Sequence, residues 1–234
     1  MKVRKQIRKY CVQKNLIDCD FEVYFRGEHN GGGPVFIKNL FGTEYFLNKH
    51  KDCKSVLEVC SGPGFIGWYL YKHLNMNSVH FLDIHEPVKE DLKLTAEANN
   101  EELNFYHSDG FKNYDGPKVD LIVMNPPFFH TDKQFEQFLE HDKIKNEFSI
   151  RNSKRIAFDK DFKLHDNLIN NYEKHLTDTG RIVFLAFIDY VPREMIESKI
   201  SYKGDYKEHY IFFDKKWKLD EPNFYTLTYY KQVG

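Results

Sequence analysis

Cysteine is scarce in this sequence. There are four in 234 residues, Cys11, Cys19, Cys53 and Cys60, with no C-x-x-C spacing among them. A disulfide framework is therefore not expected, and a chain of this length buries enough apolar surface to do without one. Reduced thiols and a cytoplasmic location are the expectation. No apolar run approaches the roughly 18 residues of a membrane span, and the first residues are cationic where a secretory leader would be apolar, so no membrane association is expected. The eleven histidines show no H-E-x-x-H or comparable ligand spacing, and no metal is expected. Net charge is only −1, which excludes a protein that holds nucleic acid by bulk electrostatics alone. Internal repeats and low-complexity tracts are also absent.

The charge that is present is unevenly placed. The segment MKVRKQIRKYCVQKNL carries Lys2, Arg4, Lys5, Arg8, Lys9 and Lys14 without an acid. Val3, Ile7 and Tyr10 recur beneath them at helical spacing, predicting a basic helix with one apolar stripe. Such a helix either packs that stripe on the domain or meets RNA or an acidic partner.

From residue 55 onward, short apolar runs alternate with amphipathic stretches, the pattern of a parallel sheet with crossover helices. Strands are predicted at 55–60, 78–84, 103–108, 119–125 and 181–188. Helices are predicted at 65–74, 87–100 and 160–176, the last stopped by a turn at TDTG, 177–180. Two aromatic-rich stretches, 208–214 and 223–232, predict a closing antiparallel hairpin. The expected architecture is α/β: a Rossmann-like, doubly wound, mostly parallel sheet over 55–234. Residues 1–54 form an N-terminal extension holding the glycine-rich turn GEHNGGGP. Residues 129–160 read as a long charged insertion on the substrate side.

The chemistry concentrates at the strand ends. VLEVCSGPGFIG places Gly62, Gly64 and Gly67 between a strand and a helix, a G-x-G-x-x-G that lets backbone approach a ligand at a helix N-terminus. Asp83 ends the next strand, where an acid holds ribose hydroxyls, and Ile84 follows as a surface for adenine. This much serves NAD and S-adenosylmethionine alike. Glu58 inside the first strand and Asp109 after the third tilt the choice, and Asn125-Pro126-Pro127-Phe128 after the fourth decides it. Together these resemble the class I S-adenosylmethionine-dependent methyltransferases, and within them the N-methyltransferases with an NPPF motif. The resemblance spans roughly residues 55–190. It implies S-adenosyl-L-methionine as cofactor, held by Glu58, Cys60, Gly62, Gly64, Asp83, Ile84, Asp109 and Asn125. Cys60 stands where the family has its first glycine, a departure at the loop that meets the methionine end.

Methyl transfer from a sulfonium needs a lone pair aimed along the sulfur–carbon axis, and a nitrogen conjugated to a planar group offers a poor one. A site helps by accepting both N–H groups, which orients the nitrogen and stabilises its growing charge. Asn125 Oδ1 can accept one and the Pro126 carbonyl the other, on backbone stiffened by consecutive prolines, while Phe128 offers a stacking face. The resemblance implies a macromolecular substrate: a protein glutamine amide, as in HemK-like enzymes, slightly ahead of an exocyclic amine of adenine or guanine in RNA or DNA. The cations Lys143, Lys145, Arg151, Lys154 and Arg155 would suit a phosphate backbone. An NAD-dependent oxidoreductase lacks a Tyr-x-x-x-Lys relay here, and a non-catalytic binding module remains the other alternative.

Overall fold

A computed structural model describes residues 7–11 (backbone only), 21–29, 33–141, 145–200, 204–210 and 223–231. Its centre is a seven-stranded sheet. The strands are β3 (Ser55–Val59), β4 (Ser78–Asp83), β5 (Phe105–His107), β6 (Val119–Met124), β7 (Leu176–Phe187), β8 (Asp205–His209) and β9 (Phe224–Tyr230), in the spatial order β5-β4-β3-β6-β7-β9-β8. The first five run parallel; β9 is antiparallel to both β7 and β8. Strand order reverses between β3 and β6, so the crevice outside their carboxyl ends is the natural ligand position of an open α/β sheet.

The apolar runs follow from burial on both faces. Along β6, Leu121 and Val123 enter one core, shared with Trp68, Leu70 and Phe36. Ile122 and Met124 enter the other, with Leu168, Tyr172 and Phe184. A strand covered on both sides has no polar face to alternate with. Helices α3 (Phe65–His73) and α4 (Val88–Ala98) form where expected, α4 with Pro87 at its N-cap.

Residues 21–50 belong to the same packing. Strand β2 (Glu22–Arg26) lies along α4, and its alternate N–H groups find partners one helical turn apart. Glu22 N donates to Asn99 Oδ1 at 3.0 Å, Tyr24 N to Thr95 Oγ1 at 2.9 Å and Arg26 N to Asp91 Oδ2 at 3.0 Å. Four helical residues rise about 6 Å and two strand residues about 6.7 Å, so the two periods stay in register over three contacts. Short helices α1 (Gly33–Phe36) and α2 (Glu44–His50) follow, joined by a π-helical turn at Ile37–Phe41.

Three sequence expectations are corrected. Residues Ile7–Cys11 are strand β1, paired antiparallel with β2, not helix; available pairing overrides a weak periodicity. Residues 1–6 and 12–20 of that expected helix lie outside the described residues, as do Lys143 and residues 211–222 of the expected hairpin. The insertion is not loop: it forms α5 (Asp132–His141) and α6 (Glu147–Ala157), the latter N-capped by Asn146 Oδ1, which accepts from Ser149 N at 2.8 Å. The 160–176 helix is broken. Asp161 and Phe162 adopt left-handed conformations (φ 59° and 57°), so the regular helix α7 begins at Lys163 and ends at Asn171, and the expected turn at 177–180 is continuous with β7. The final helix, α8, spans Arg193–Glu197.

Candidate functional site

The carboxyl ends of β3, β4, β5 and β6 open onto one cleft of about 910 Å³. Of the residues singled out from sequence, Glu58, Cys60, Gly62, Asp83, Ile84, Asp109, Asn125, Pro126, Pro127 and Phe128 all line it. Gly64 is the exception. A Cβ there would lie 2.6 Å from Leu92 Cδ2 and 2.7 Å from Phe81 Cε1, at φ +78°. Its lack of a side chain serves the packing of the loop against α4 and β4, not the cleft.

The loop after β3 is held from two directions. Asp83 accepts from Gly62 N through Oδ2 and from His85 N through Oδ1, both at 2.8 Å. Each oxygen thereby keeps a lone pair for a further donor. Burial raises the Asp83 carboxyl above its ordinary value, against the pull of those two N–H groups. Cys60 shows why a glycine suits its position: it sits at φ 57°, where an L side chain is strained by about 1–2 kcal/mol. Glu58 is 3% exposed and accepts from Gly67 N at 2.7 Å. Burial pushes it up to about 8, beyond what the Gly67 and Ile66 N–H groups offset.

The outer cleft differs in character. Ile84 is 60% exposed, an apolar side chain standing open at the mouth. Asp109 pairs with Lys112 on the surface beside it. At the far end, Pro126 and Pro127 are buried, while Asn125 and Phe128 are half-buried. The Phe128 ring packs edge-on to Phe224 (5.6 Å between centroids) and against Phe36 and Phe187, which fixes its plane.

The motif's backbone is also clamped by the insertion. The chain returning from α6 runs parallel to it, bridging Phe129 to Phe158. Phe128 N and Phe129 N donate to Ala157 O (3.1 and 2.9 Å), and Asp159 N donates to Phe129 O at 2.8 Å. Phe129 itself is buried against Phe135, Phe138 and Tyr190, joining α5 to the core.

Two further cleft residues escaped the sequence reading. His29 follows β2, 5% exposed, with its Nδ1 2.7 Å from Asp91 Oδ2. Arg155, noted in sequence only as one of several cations, reaches from α6 to Glu28 O (2.6 Å) and Asn152 Oδ1 (2.7 Å). It ties the insertion to the N-terminal segment across the cleft. Nothing local marks His29 as special; its place depends on β2 docking against α4, a contact between residues more than 60 apart in sequence.

Residues 34–148 match the methyltransferase small domain family. Over 95 residues the chain is 39% identical to a ribosomal RNA small subunit methyltransferase C of Hahella chejuensis, covering 40% of this chain and 28% of that protein. Over 154 residues it is 28% identical to a ribosomal protein uL3 glutamine methyltransferase of Francisella tularensis, covering 63% of this chain and 45% of that protein. The chain thus spans less than half the length of either. In fold, 97% of it superposes on 51% of a T. thermophilus 16S rRNA N2 methyltransferase solved in complex with AdoMet and guanosine, with a TM-score of 0.60 at 15% identity. Among the described residues no helix is long and apolar enough to cross a membrane. With its strand order, glycine loop and acid-lined cleft accounted for, the chain belongs to the class I S-adenosylmethionine-dependent methyltransferases, carrying their small methyltransferase domain over residues 34–148.

Proposed function

We propose that this protein is an N-methyltransferase that transfers the methyl group of S-adenosylmethionine to a nitrogen conjugated to a planar group on a ribosome-associated macromolecule. The observation that carries this reading is the convergence of Asn125 and Pro126 on the same cleft as Asp83, Ile84 and Asp109. The residues present fit the cofactor. Exposed Ile84 offers a face to an adenine, and the half-satisfied Asp83 carboxylate offers acceptors to ribose hydroxyls. Gly62, at φ +48°, brings bare backbone to the cleft. When bound, the cofactor supplies an electrophilic methyl on a sulfonium. The protein's part is positioning: Asn125 Oδ1 and the Pro126 carbonyl accept the two N–H groups of the target, and the fixed Phe128 ring stacks on its plane. Residues 129–160 are the substrate-side insertion of this domain, and residues 1–54 its N-terminal extension.

An exocyclic amine of an RNA base is the favoured target. The segment 145–163, which closes the cleft, carries six cations against three acids, and Phe148 stands 66% exposed among Lys145, Arg151 and Lys154. Exposed aromatics interleaved with cations suit stacked bases and phosphates. This reverses the order in which sequence alone ranks the two targets. The glutamine amide is the second reading, supported by the similarity to glutamine methyltransferases over 63% of the chain.

The test incubates labelled S-adenosylmethionine with ribosomal RNA and ribosomal or release-factor protein offered separately. Label in RNA supports the first reading and label in protein the second. Label in neither, from a protein that binds S-adenosylhomocysteine, would sink the enzymatic proposal.

A further inference from the structure

Behind the NPPF motif, outside the cleft, lies a group of side chains that the methyl-transfer reading does not use. His130, Asp159 and His165 are 2%, 6% and 2% exposed, and they offer one ligand atom each within 4.8 Å of one another. Sequence concealed the group, because 35 residues and both insertion helices separate its first member from its last.

The hydrogen bonding leaves the nitrogens of this group available. His165 Nδ1 lies 2.7 Å from Asp159 Oδ2, so the carboxylate fixes the ring with Nδ1 protonated and Nε2 bare. His165 Nε2 is buried and makes no hydrogen bond, and neither ring nitrogen of His130 makes one of normal geometry. Asp159 Oδ1 accepts only from Leu164 N, at 2.9 Å, and keeps a lone pair. A buried polar atom left unpaired costs about 1–3 kcal/mol, so several in one place call for an occupant. The backbone does not relieve them: left-handed Asp161 and Phe162 hold the turn that delivers His165, and Asp161 N is already committed to His130 O at 3.1 Å.

We propose that His130, Asp159 and His165 bind a divalent transition-metal ion of the zinc class, which staples the exit of the NPPF motif to the chain returning from the insertion. Two imidazoles and one carboxylate are the hard-to-borderline donor set such an ion takes, with a remaining position open. The protonation states match. Burial holds His130 down to about 4, hence neutral at physiological pH. Asp159 stays ionised: burial opposes its charge, but the His165 ring and two backbone N–H groups together hold it below the ordinary value. Tetrahedral zinc with nitrogen ligands near 2.05 Å places donors roughly 3.3 Å apart, so the side chains need draw in by little more than an ångström. The inference stands apart from the catalytic reading, since its readouts are metal content and stability.

The experiment uses the full chain, purified with zinc present and dialysed against metal-free buffer. Elemental analysis should give about one zinc per chain. Cobalt(II) loaded in its place should show the visible absorption of a four- or five-coordinate N/O site. At a hundredfold excess over Kd, zinc should raise the Tm of chelator-treated protein by roughly 5–10 °C. His165→Gln and Asp159→Asn should abolish all three responses, while His73→Gln, a histidine on α3 far in sequence from the cluster, should leave them intact. Parent protein that holds no zinc after supplementation and shows no Tm shift overturns the proposal, whatever the variants do. So does zinc binding that survives His165→Gln, since the ion would then sit elsewhere.

Discussion

Asp91→Ala should dismantle the N-terminal wall of the cleft. Asp91 is 1% exposed and takes Arg26 N at 3.0 Å, Arg26 Nε at 2.8 Å and His29 Nδ1 at 2.7 Å. These bonds share one carboxylate, so their energies do not add. Breaking a buried pair by removing one partner costs about 3–5 kcal/mol, because the other charge is stranded. The Arg26 side chain is itself only 15% exposed, which keeps the loss near that range. For a chain of this size the expected fall in Tm is about 6–20 °C. S-adenosylhomocysteine affinity by calorimetry should drop at least tenfold, since His29 lines the cleft and its ring would lose its anchor. The pH dependence has a definite sign. Burial pushes the Asp91 carboxyl up, but His29 and the Arg26 backbone together hold it below the ordinary aspartate value of 3.8. A depressed folded value contributes stability that is present above 3.8 and lost as pH falls through the folded value. The Tm gap between parent and variant should therefore hold at neutral pH and close in strong acid. A fall of under about 3 °C at pH 7, with folded parent in hand, would refute the docking of β2 on α4 as described.

Asn125→Ala should slow methyl transfer by about 10²–10³-fold, the cost of one preorganised acceptor, while S-adenosylhomocysteine still binds; equal loss of binding and rate would point to a structural role instead. Glu58→Gln tests the buried acid. A carboxyl raised from 4.5 to about 8 in the folded state binds its proton more tightly there than when unfolded, so stability is lost as pH rises between those values. Thermal melts should show the glutamine variant matching the parent near pH 5 and exceeding it near pH 9, and the reverse order would contradict this. Ile84→Ser should weaken S-adenosylhomocysteine binding roughly 3–10-fold with Tm unchanged, because a residue 60% exposed contributes little to folding. Gly64→Ala should cost about 2–4 kcal/mol by chemical denaturation, combining left-handed strain with the Leu92 and Phe81 contacts, whereas at Gly62 the nearest obstacle is His29 O at 3.0 Å and the cost should be smaller.

The strand ends were legible in sequence because their signals are local. VDLIVM reads as a doubly buried strand from its composition, and Asn-Pro-Pro stops it at once; the glycine loop and Asp83 mark turns whose geometry few other residues permit. Sheet order then brings those ends together, so residues chosen one at a time line a single cleft. Gly64 was misassigned for the same reason it was noticed: a left-handed glycine looks alike in sequence whether it faces a ligand or a packed phenylalanine. The insertion was misread as loop because its helices take their apolar contacts from Phe129 and Tyr190, which lie outside it. His29, Arg155 and the His130–Asp159–His165 cluster had no local signature. Each depends on two segments meeting across dozens of residues, β2 against α4 or the motif against the returning chain. Sequence by itself determined the sheet and the chemistry at its edge, since those rest on periodicity and backbone stereochemistry. Only the tertiary structure decided what walls the cleft and what grips the motif from behind, because those contacts are set by packing between distant parts of the chain.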